Sequence, residues 1–435
     1  MKKLTCAVLG YGHRGSSYAV YAKTHPNELE VVAVIDPALL KRNTAKQDFN
    51  LSEDMLFENL DEFLSKNIKC DFVINGTMDQ LHYETTIKLL ERKYNLLLEK
   101  PITGNPDELL HIGRLAEENE CKVVICHVLR YTLFYSQIKK ILDSGVLGRI
   151  MNMQLNEHVG ILHFIKAYVR GKWRSEQECG SGFLLAKCCH DTDLMCWLNN
   201  ETEPELVSSF GDRAFFTEKN APDGATQYCY QCPKKDECYF DAIKSELKND
   251  MIPFYTWCRI DKPYEEITEE EKIAYLKKDV YGQCVYKIKD MDIVDRQCVS
   301  VKFKNGSVGT LNMVGGTAVS GRHLHIVCEK GEIVGYIEEN KFRVVRYAGD
   351  IGKVQEEIVD LDEIQKLEGD GNSITGHYGG DYYIMRDLLK FLKGEPTSSS
   401  TTLLKDSVNS HLVCYAAEKA RKENTVVDID KVYKA

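Results

Sequence analysis

Long uncharged apolar runs are missing from this 435-residue sequence. No stretch approaches the roughly 18 to 20 residues of a membrane-spanning helix, so a soluble protein with no membrane partner is expected. A basic excess is missing too: 66 acidic against 56 basic residues give a formal charge of -10, which argues against general attraction to nucleic acid or anionic lipid. No internal repeat is evident, and the only low-complexity stretch is the short run Thr397–Thr402. The opening Met1–Leu9 has too short an apolar run for a secretion signal and reads as a strand ending at Gly10. Cysteine is not scarce, but sixteen thiols scattered through a long chain give no small disulfide framework. A reducing, cytoplasmic location is expected.

At about 150 residues per domain, the length suggests two to three domains. From Leu4 to about Val124, short Val/Ile/Leu runs alternate with amphipathic stretches, the pattern of a parallel sheet covered by helices. The predicted strands are Leu4–Leu9, Glu30–Ile35, Phe72–Asn75, Asn95–Leu98 and Lys122–Cys126. Beyond a helix at Leu133–Ser144 the pattern turns to β-alternation, with Asn305–Gly306 as a hairpin signal between Cys298–Phe303 and Gly309–Val314. The predicted fold is α/β: a Rossmann dinucleotide-binding domain over 1–126, then an α+β domain over 127–435 with a largely antiparallel open sheet. A cysteine-bearing insertion with local helices is placed at about 212–295.

Gly10-Tyr11-Gly12-His13-Arg14-Gly15 fits GxGxxG directly after a strand and before a helix, so backbone N–H groups can face a pyrophosphate. Asp36 ends the second strand, where a carboxylate can accept from an adenosine ribose diol and repel a 2'-phosphate. NAD is therefore expected rather than NADP, a preference that Arg42 or Lys41 nearby could soften. The bland alternative is a tight turn and an Asp before Pro37.

This start, with Thr77-Met78-Asp79-Gln80-Leu81-His82 after one strand and Glu99-Lys100-Pro101 after the next, resembles the Gfo/Idh/MocA family of oxidoreductases. Arg130-Tyr131, the segment Gly182–His190 and Gly376–Asp381 extend the resemblance almost to the C-terminus, apart from the insertion. It implies a nicotinamide domain and a second domain whose open sheet walls the substrate pocket and often makes a subunit contact, hence a homo-oligomer. Sugars, inositols and related polyols are the implied substrates. Lys100 would hydrogen-bond the reacting hydroxyl or carbonyl, Glu99, Thr77 and His82 would lie along the cofactor, and His190 matches a second polar group of the active site. One departure stands out: where dehydrogenases of the family often carry Asp four residues before that histidine, this chain has Ala186. Lys187 beside it can share a helix face with His190, or form an ion pair with Asp191.

Oxidising an alcohol needs removal of the hydroxyl proton while hydride leaves carbon, so Lys100 or His190 is the expected acid/base. The alternatives are a surface lysine and a packed core histidine. Tyr168, Arg170, Trp173 and Arg174 combine donors with rings, as a carbohydrate wall would, although a solvated basic loop has the same composition. Arg130 and His377 are further substrate-side candidates, each open to a structural role. Cys229, Cys232 and Cys238, completed by Cys284 or Cys258, have spacing close to a structural zinc site, with packed thiols or a disulfide as alternatives. The leading expectation is an NAD-dependent dehydrogenase of a sugar, cyclitol or glycoside. The rivals are a glycosidase that keeps NAD bound through transient oxidation, elimination, addition and reduction, and a non-catalytic dinucleotide sensor.

Overall fold

Aliphatic and β-branched side chains suit a pleat buried on both faces. In the computed structural model, which describes residues 2–248, 251–368 and 376–434, such runs form β1 (Leu4–Leu9), β2 (Leu29–Ile35), β3 (Leu56–Phe57), β4 (Phe72–Asn75), β5 (Leu96–Leu98) and β6 (Val123–Ile125). They pair in the order β3-β2-β1-β4-β5-β6, every pairing parallel. Along β1, Ala7 and Leu9 enter one apolar core and Cys6 and Val8 the other, so both faces are covered. The order reverses between β1 and β4, and the crevice at their carboxyl ends is where such a sheet takes its ligand.

A second sheet holds β7 (Ile150–Gly160), β8 (Pro204–Asp212), β9 (Arg296–Phe303), β10 (Val308–Thr317), β11 (Gly321–Cys328), β12 (Gly331–Tyr336), β13 (Lys341–Tyr347), β14 (Val354–Asp360) and β15 (Val427–Asp428). Among the described residues their order is β14-β13-β12-β11-β7-β10-β9-β8-β15, antiparallel except for β7 with β10. The Asn305–Gly306 hairpin is present, with Gly306 at φ 89°. β3, β8, β13, β14 and β15 have no counterpart among the predicted strands. β14 is an edge strand with Gln355, Glu356 and Glu357 exposed, so it lacks the alternation that would reveal it. Helices Phe183–Leu198 and Leu404–Glu423 pack on each other and against this sheet. No helix of the described residues is long and apolar enough to cross a membrane.

Two arginines expected at the substrate wall serve the interior instead. Arg130 is 2% exposed and its Nε and Nη2 donate to Asp193 at 2.6 and 2.5 Å, joining the end of the first sheet to helix Phe183–Leu198. Arg170 is fully buried and donates to the carbonyls of Gln283 and Phe240 at 3.0 and 2.7 Å. Both bind protein groups because each guanidinium is enclosed and must satisfy its donors there. Lys166 and Glu246, also fully buried, pair at 2.9 Å, and with Arg170 they fasten the insertion to the turn Ile165–Val169.

Replacing Asp193 by Ala leaves the Arg130 charge buried without its partner. We expect a stability loss of about 3–5 kcal/mol in urea unfolding. A loss below about 1 kcal/mol would contradict the structural role given to Arg130.

Candidate active site

β1 delivers Gly10 to the carboxyl edge of the first sheet. Its φ of 83° suits glycine, and a Cβ there would lie 2.8 Å from the Gly76 carbonyl oxygen. Gly15 approaches the Gly10 carbonyl so closely that a Cβ would sit 2.0 Å from its oxygen. Gly12 differs, because a Cβ there would meet nothing within 4 Å. The middle glycine thus faces open space, directly in front of helix His13–Thr24, which has no side-chain cap and no acidic residue in its first turn. Its leading N–H groups suit an anion, and a pyrophosphate fits the cradle. Asp36, at the end of β2, accepts the N–H groups of Tyr11 and Ala38, each at 2.9 Å, which orients its carboxylate beside the loop.

Arg14 turns inward. Its Nε donates to Glu99 at 2.9 Å, and its two terminal nitrogens to Asp381 at 3.1 and 2.6 Å. The Tyr18 hydroxyl also donates to Glu99, at 2.7 Å. Burial alone would push the Glu99 carboxyl up, but Arg14 and Lys100 outweigh it and hold the group below its usual range. At Asp381 burial is likewise overcome, by the His377 hydrogen bond and Arg14, which bring the carboxyl down to about 2. His377 and Tyr378, just before Asp381, adopt left-handed φ values of 56° and 53°.

Fixing Glu99 fixes its neighbour. The Lys100 N–H donates to Glu99 Oε2 at 2.9 Å, and Lys100 Nζ to the Ala186 carbonyl at 2.8 Å. That carbonyl lies one turn before His190 on the same helix. His190 is buried, its Nδ1 has no hydrogen-bond partner among the described residues, and its ring centroid lies 5.8 Å from His127 and 6.1 Å from His377. Burial first, and then Lys100, hold its pKa well below the ordinary 6.5. Burial followed by Lys187 and Lys100 brings His163 down to about 3, and burial also lowers His377. In each ring the surroundings favour the neutral form.

The remaining expected residues divide. The Thr77 hydroxyl donates to Asn75 at 2.9 Å. His82 is buried, with ring nitrogens 2.6 Å from the Pro101 carbonyl and 3.1 Å from the Thr77 carbonyl. It lies between two strand-end loops, where a neutral ring can donate to one of these two carbonyls. Lys187 pairs with Glu157 at 3.2 Å rather than with Asp191, whose carboxylate is taken by Arg322 at 2.8 Å. Trp173 Nε1 donates to Asp79 at 3.0 Å, and Tyr168 lies 5.8 Å from the Trp173 ring. Arg174 is directed to Asp290 at 2.8 Å and to Glu178 at 3.2 Å, so it braces the insertion instead of a substrate. His163 and Tyr255 were overlooked; neither sits in a spaced motif that would have marked it.

The zinc expectation is also corrected. Cys229, Cys232, Cys238 and Cys284 do line one recess, yet among the described residues no group of three or more His, Cys, Asp or Glu is placed to hold a metal. The thiols are unpaired with one another. Arg170 Nη2 lies 3.7 Å from Cys229 Sγ as a donor, and burial pushes the Cys229 and Cys284 thiols up, favouring the protonated form. They pack as a small knot with Ala225 and Ala242.

A parallel sheet with a glycine cradle at its switch point and a lysine beyond its fifth strand, facing histidines carried by elements that pack on a second, open sheet, defines a dinucleotide-binding fold. The chain belongs to the Gfo/Idh/MocA family: residues 4–127 match the family's NAD-binding Rossmann fold and residues 135–230 its C-terminal domain. The protein is similar to the putative oxidoreductase YteT of Bacillus subtilis, at 24% identity over 343 residues, covering 75% of this chain and 73% of the relative. It is also similar to scyllo-inositol 2-dehydrogenase (NADP(+)) IolW of Bacillus subtilis, at 24% identity over 186 residues, 43% of this chain and 49% of that protein. Levoglucosan dehydrogenase, in a complex with NADH and levoglucosan, has the same fold at a TM-score of 0.69 and 15% identity, covering 98% of this chain and 100% of the other.

The Asp381 carboxyl, lowered from 3.8 to about 2, contributes stability that is complete above the unfolded value and lost as pH falls through the folded one. Asp381→Asn is expected to cost about 2 kcal/mol at neutral pH. In urea unfolding, the gap from the parent protein should narrow between about pH 4 and pH 2. A gap that widens on acidification would refute the pairing with Arg14.

Proposed function

We propose that the protein is an NAD-dependent oxidoreductase that moves hydride between nicotinamide and a hydroxyl or carbonyl carbon of a sugar, cyclitol or glycoside. Residues 1–126 hold the dinucleotide and 127–435 face the substrate. The observation that carries this reading is the unbroken set of contacts from the glycine loop through Arg14 and Glu99 to Lys100 and Ala186, one turn from His190. The similarity to an inositol dehydrogenase and the fold of levoglucosan dehydrogenase support it.

When bound, nicotinamide supplies the hydride acceptor or donor. Gly10, Gly12 and Gly15, with the N–H groups of His13 and Arg14, hold the pyrophosphate, and Asp36 receives the ribose diol. Arg42 is committed to the carbonyls of Asp36 and Pro37 at 2.6 and 2.9 Å, which leaves Asp36 to repel a 2'-phosphate. Lys100 Nζ donates to the reacting oxygen while the neutral His190 ring accepts the hydroxyl proton. The half-buried Trp173 presents ring surface to the apolar side of a sugar, Tyr168 lies buried behind it against Phe183 instead of at the wall, and His377 closes the pocket opposite.

The test is to incubate the purified protein with NAD and a panel of polyols and aryl glycosides, following absorbance at 340 nm and product together. Net NADH with an oxidised product is expected. Product without net NADH would replace this reading with the NAD-retaining glycosidase, and bound dinucleotide without any turnover would replace it with the sensor. His190→Ala should lower kcat about 100 to 10,000-fold with NADH affinity little changed. Because neutral His190 is the active form and its pKa lies below 6.5, the acid limb of kcat/KM should fall below that pH. A limb centred above 6.5 would exclude His190 as the base.

A further inference from the structure

One segment reaches the crevice from outside both sheets. The short helix Pro253–Trp257 belongs to the insertion, and its inner side is fixed by buried partners. The Thr256 hydroxyl donates to Glu246 at 2.6 Å, and Glu246 is the partner of Lys166. Trp257 is buried with Ile267, Leu276 and Tyr281. With those two side chains anchored, the preceding two project toward the cofactor loop. Phe254 lies face to face on the His13 imidazole, ring centroids 4.4 Å apart and planes within 14°. Tyr255 stacks on His163 at 5.7 Å and 27°, and its hydroxyl lies 3.2 Å from His163 Nε2. The Tyr255 ring also meets Trp173 edge-on at 6.3 Å. Two consecutive aromatic residues therefore bridge the glycine loop and the expected substrate wall.

We propose that Phe254 and Tyr255 are binding-site residues forming a roof over the dinucleotide, which enters and leaves only when the His13–Phe254 and His163–Tyr255 stacks part. The inference rests on the reading of the glycine loop as a dinucleotide site. His13 is the residue between the open Gly12 and Arg14, so a ring stacked on it covers the place where the pyrophosphate would lie. Burial and Arg14 keep the imidazole below its ordinary pKa, so the two rings stack without a charge between them. Phe254 remains 41% exposed and meets the loop through this stack. Such a contact is strong enough to bias the roof closed and weak enough to open, since a stacked aromatic pair shifts an equilibrium by about threefold to tenfold. A closed roof would slow cofactor exchange and keep the dinucleotide in place through successive turnovers.

The test is stopped-flow binding and displacement of NADH, read by its fluorescence, on the full-length protein. Phe254→Ala should raise both association and dissociation rates about threefold to tenfold, with Kd changing less than either rate. Phe254→Tyr, which keeps the stack, should stay within about twofold of the parent. His13→Ala removes the same stack from the exposed loop side, and it should reproduce Phe254→Ala, with the double variant adding nothing further. A faster dissociation rate with unchanged association would overturn the roof and leave only a contact. Rates indifferent to both substitutions, in a protein that binds NADH, would remove the roof alone. A parent protein that binds no NADH would remove the dinucleotide reading, and the roof with it.

Discussion

The guanidinium of Arg14 sits between carboxylates drawn from distant parts of the chain, Glu99 and Asp381, and a planar fork can serve both only in a narrow range of orientations. Because Arg14 also lies in the glycine loop, that orientation locks the start of helix His13–Thr24 to the end of β5 and to helix Gly380–Lys393. Lys100 inherits its place from Glu99 through a backbone hydrogen bond. The distance between a dinucleotide cradle and the expected reacting group is thus set by one cation rather than by loop packing alone. Gly15 adds a steric condition, since any side chain there would drive the loop off the Gly10 carbonyl.

The protein repeats this device away from the site. Arg130 with Asp193 and Lys166 with Glu246 are pairs with almost no solvent contact. Such pairs contribute little net stability, because desolvation consumes most of the Coulomb gain, but they penalise every arrangement that separates them. Arg130 holds the first sheet against helix Phe183–Leu198. Lys166 and Arg170, four residues apart on a widened helical turn, hold the insertion. Insertions with little core of their own need such fixed points, and here the fixed points also aim Pro253–Trp257 at the crevice.

What could be read from the sequence follows from how far apart the partners lie. The glycine loop, Asp36 and the residues around Lys100 depend on contiguous strand-turn-helix stretches, so a linear reading finds them. The α/β and α+β halves are legible for the same reason, with the Asn305–Gly306 hairpin as a local signal. Arg130, Arg170 and Arg174 are different: an arginine in a basic-aromatic loop looks the same whether it faces solvent or an acid 63 or 116 positions away, as Asp193 and Asp290 are. The cysteines show the limit of spacing, since Cys229 and its neighbours converge on one recess without the sulfur arrangement a metal requires. Phe254 and Tyr255 lie where no periodicity exists to be read.

The charges around the pocket divide into a closed set and an open one. Glu157 is shared by Lys187 at 3.2 Å and Arg322 at 2.8 Å, and Arg322 also holds Asp191, so these four groups largely neutralise one another. Lys100 Nζ meets a neutral carbonyl, that of Ala186, at 2.8 Å. Its charge helps hold Glu99 below the usual carboxyl range and, second to burial, helps keep the His190 pKa low. A cationic donor acts most strongly on an oxygen that becomes more negative, and more so where water is excluded. Burial and then the Lys100 charge both disfavour a proton on His190, and of the two it is the Lys100 charge that also favours negative charge on a nearby oxygen.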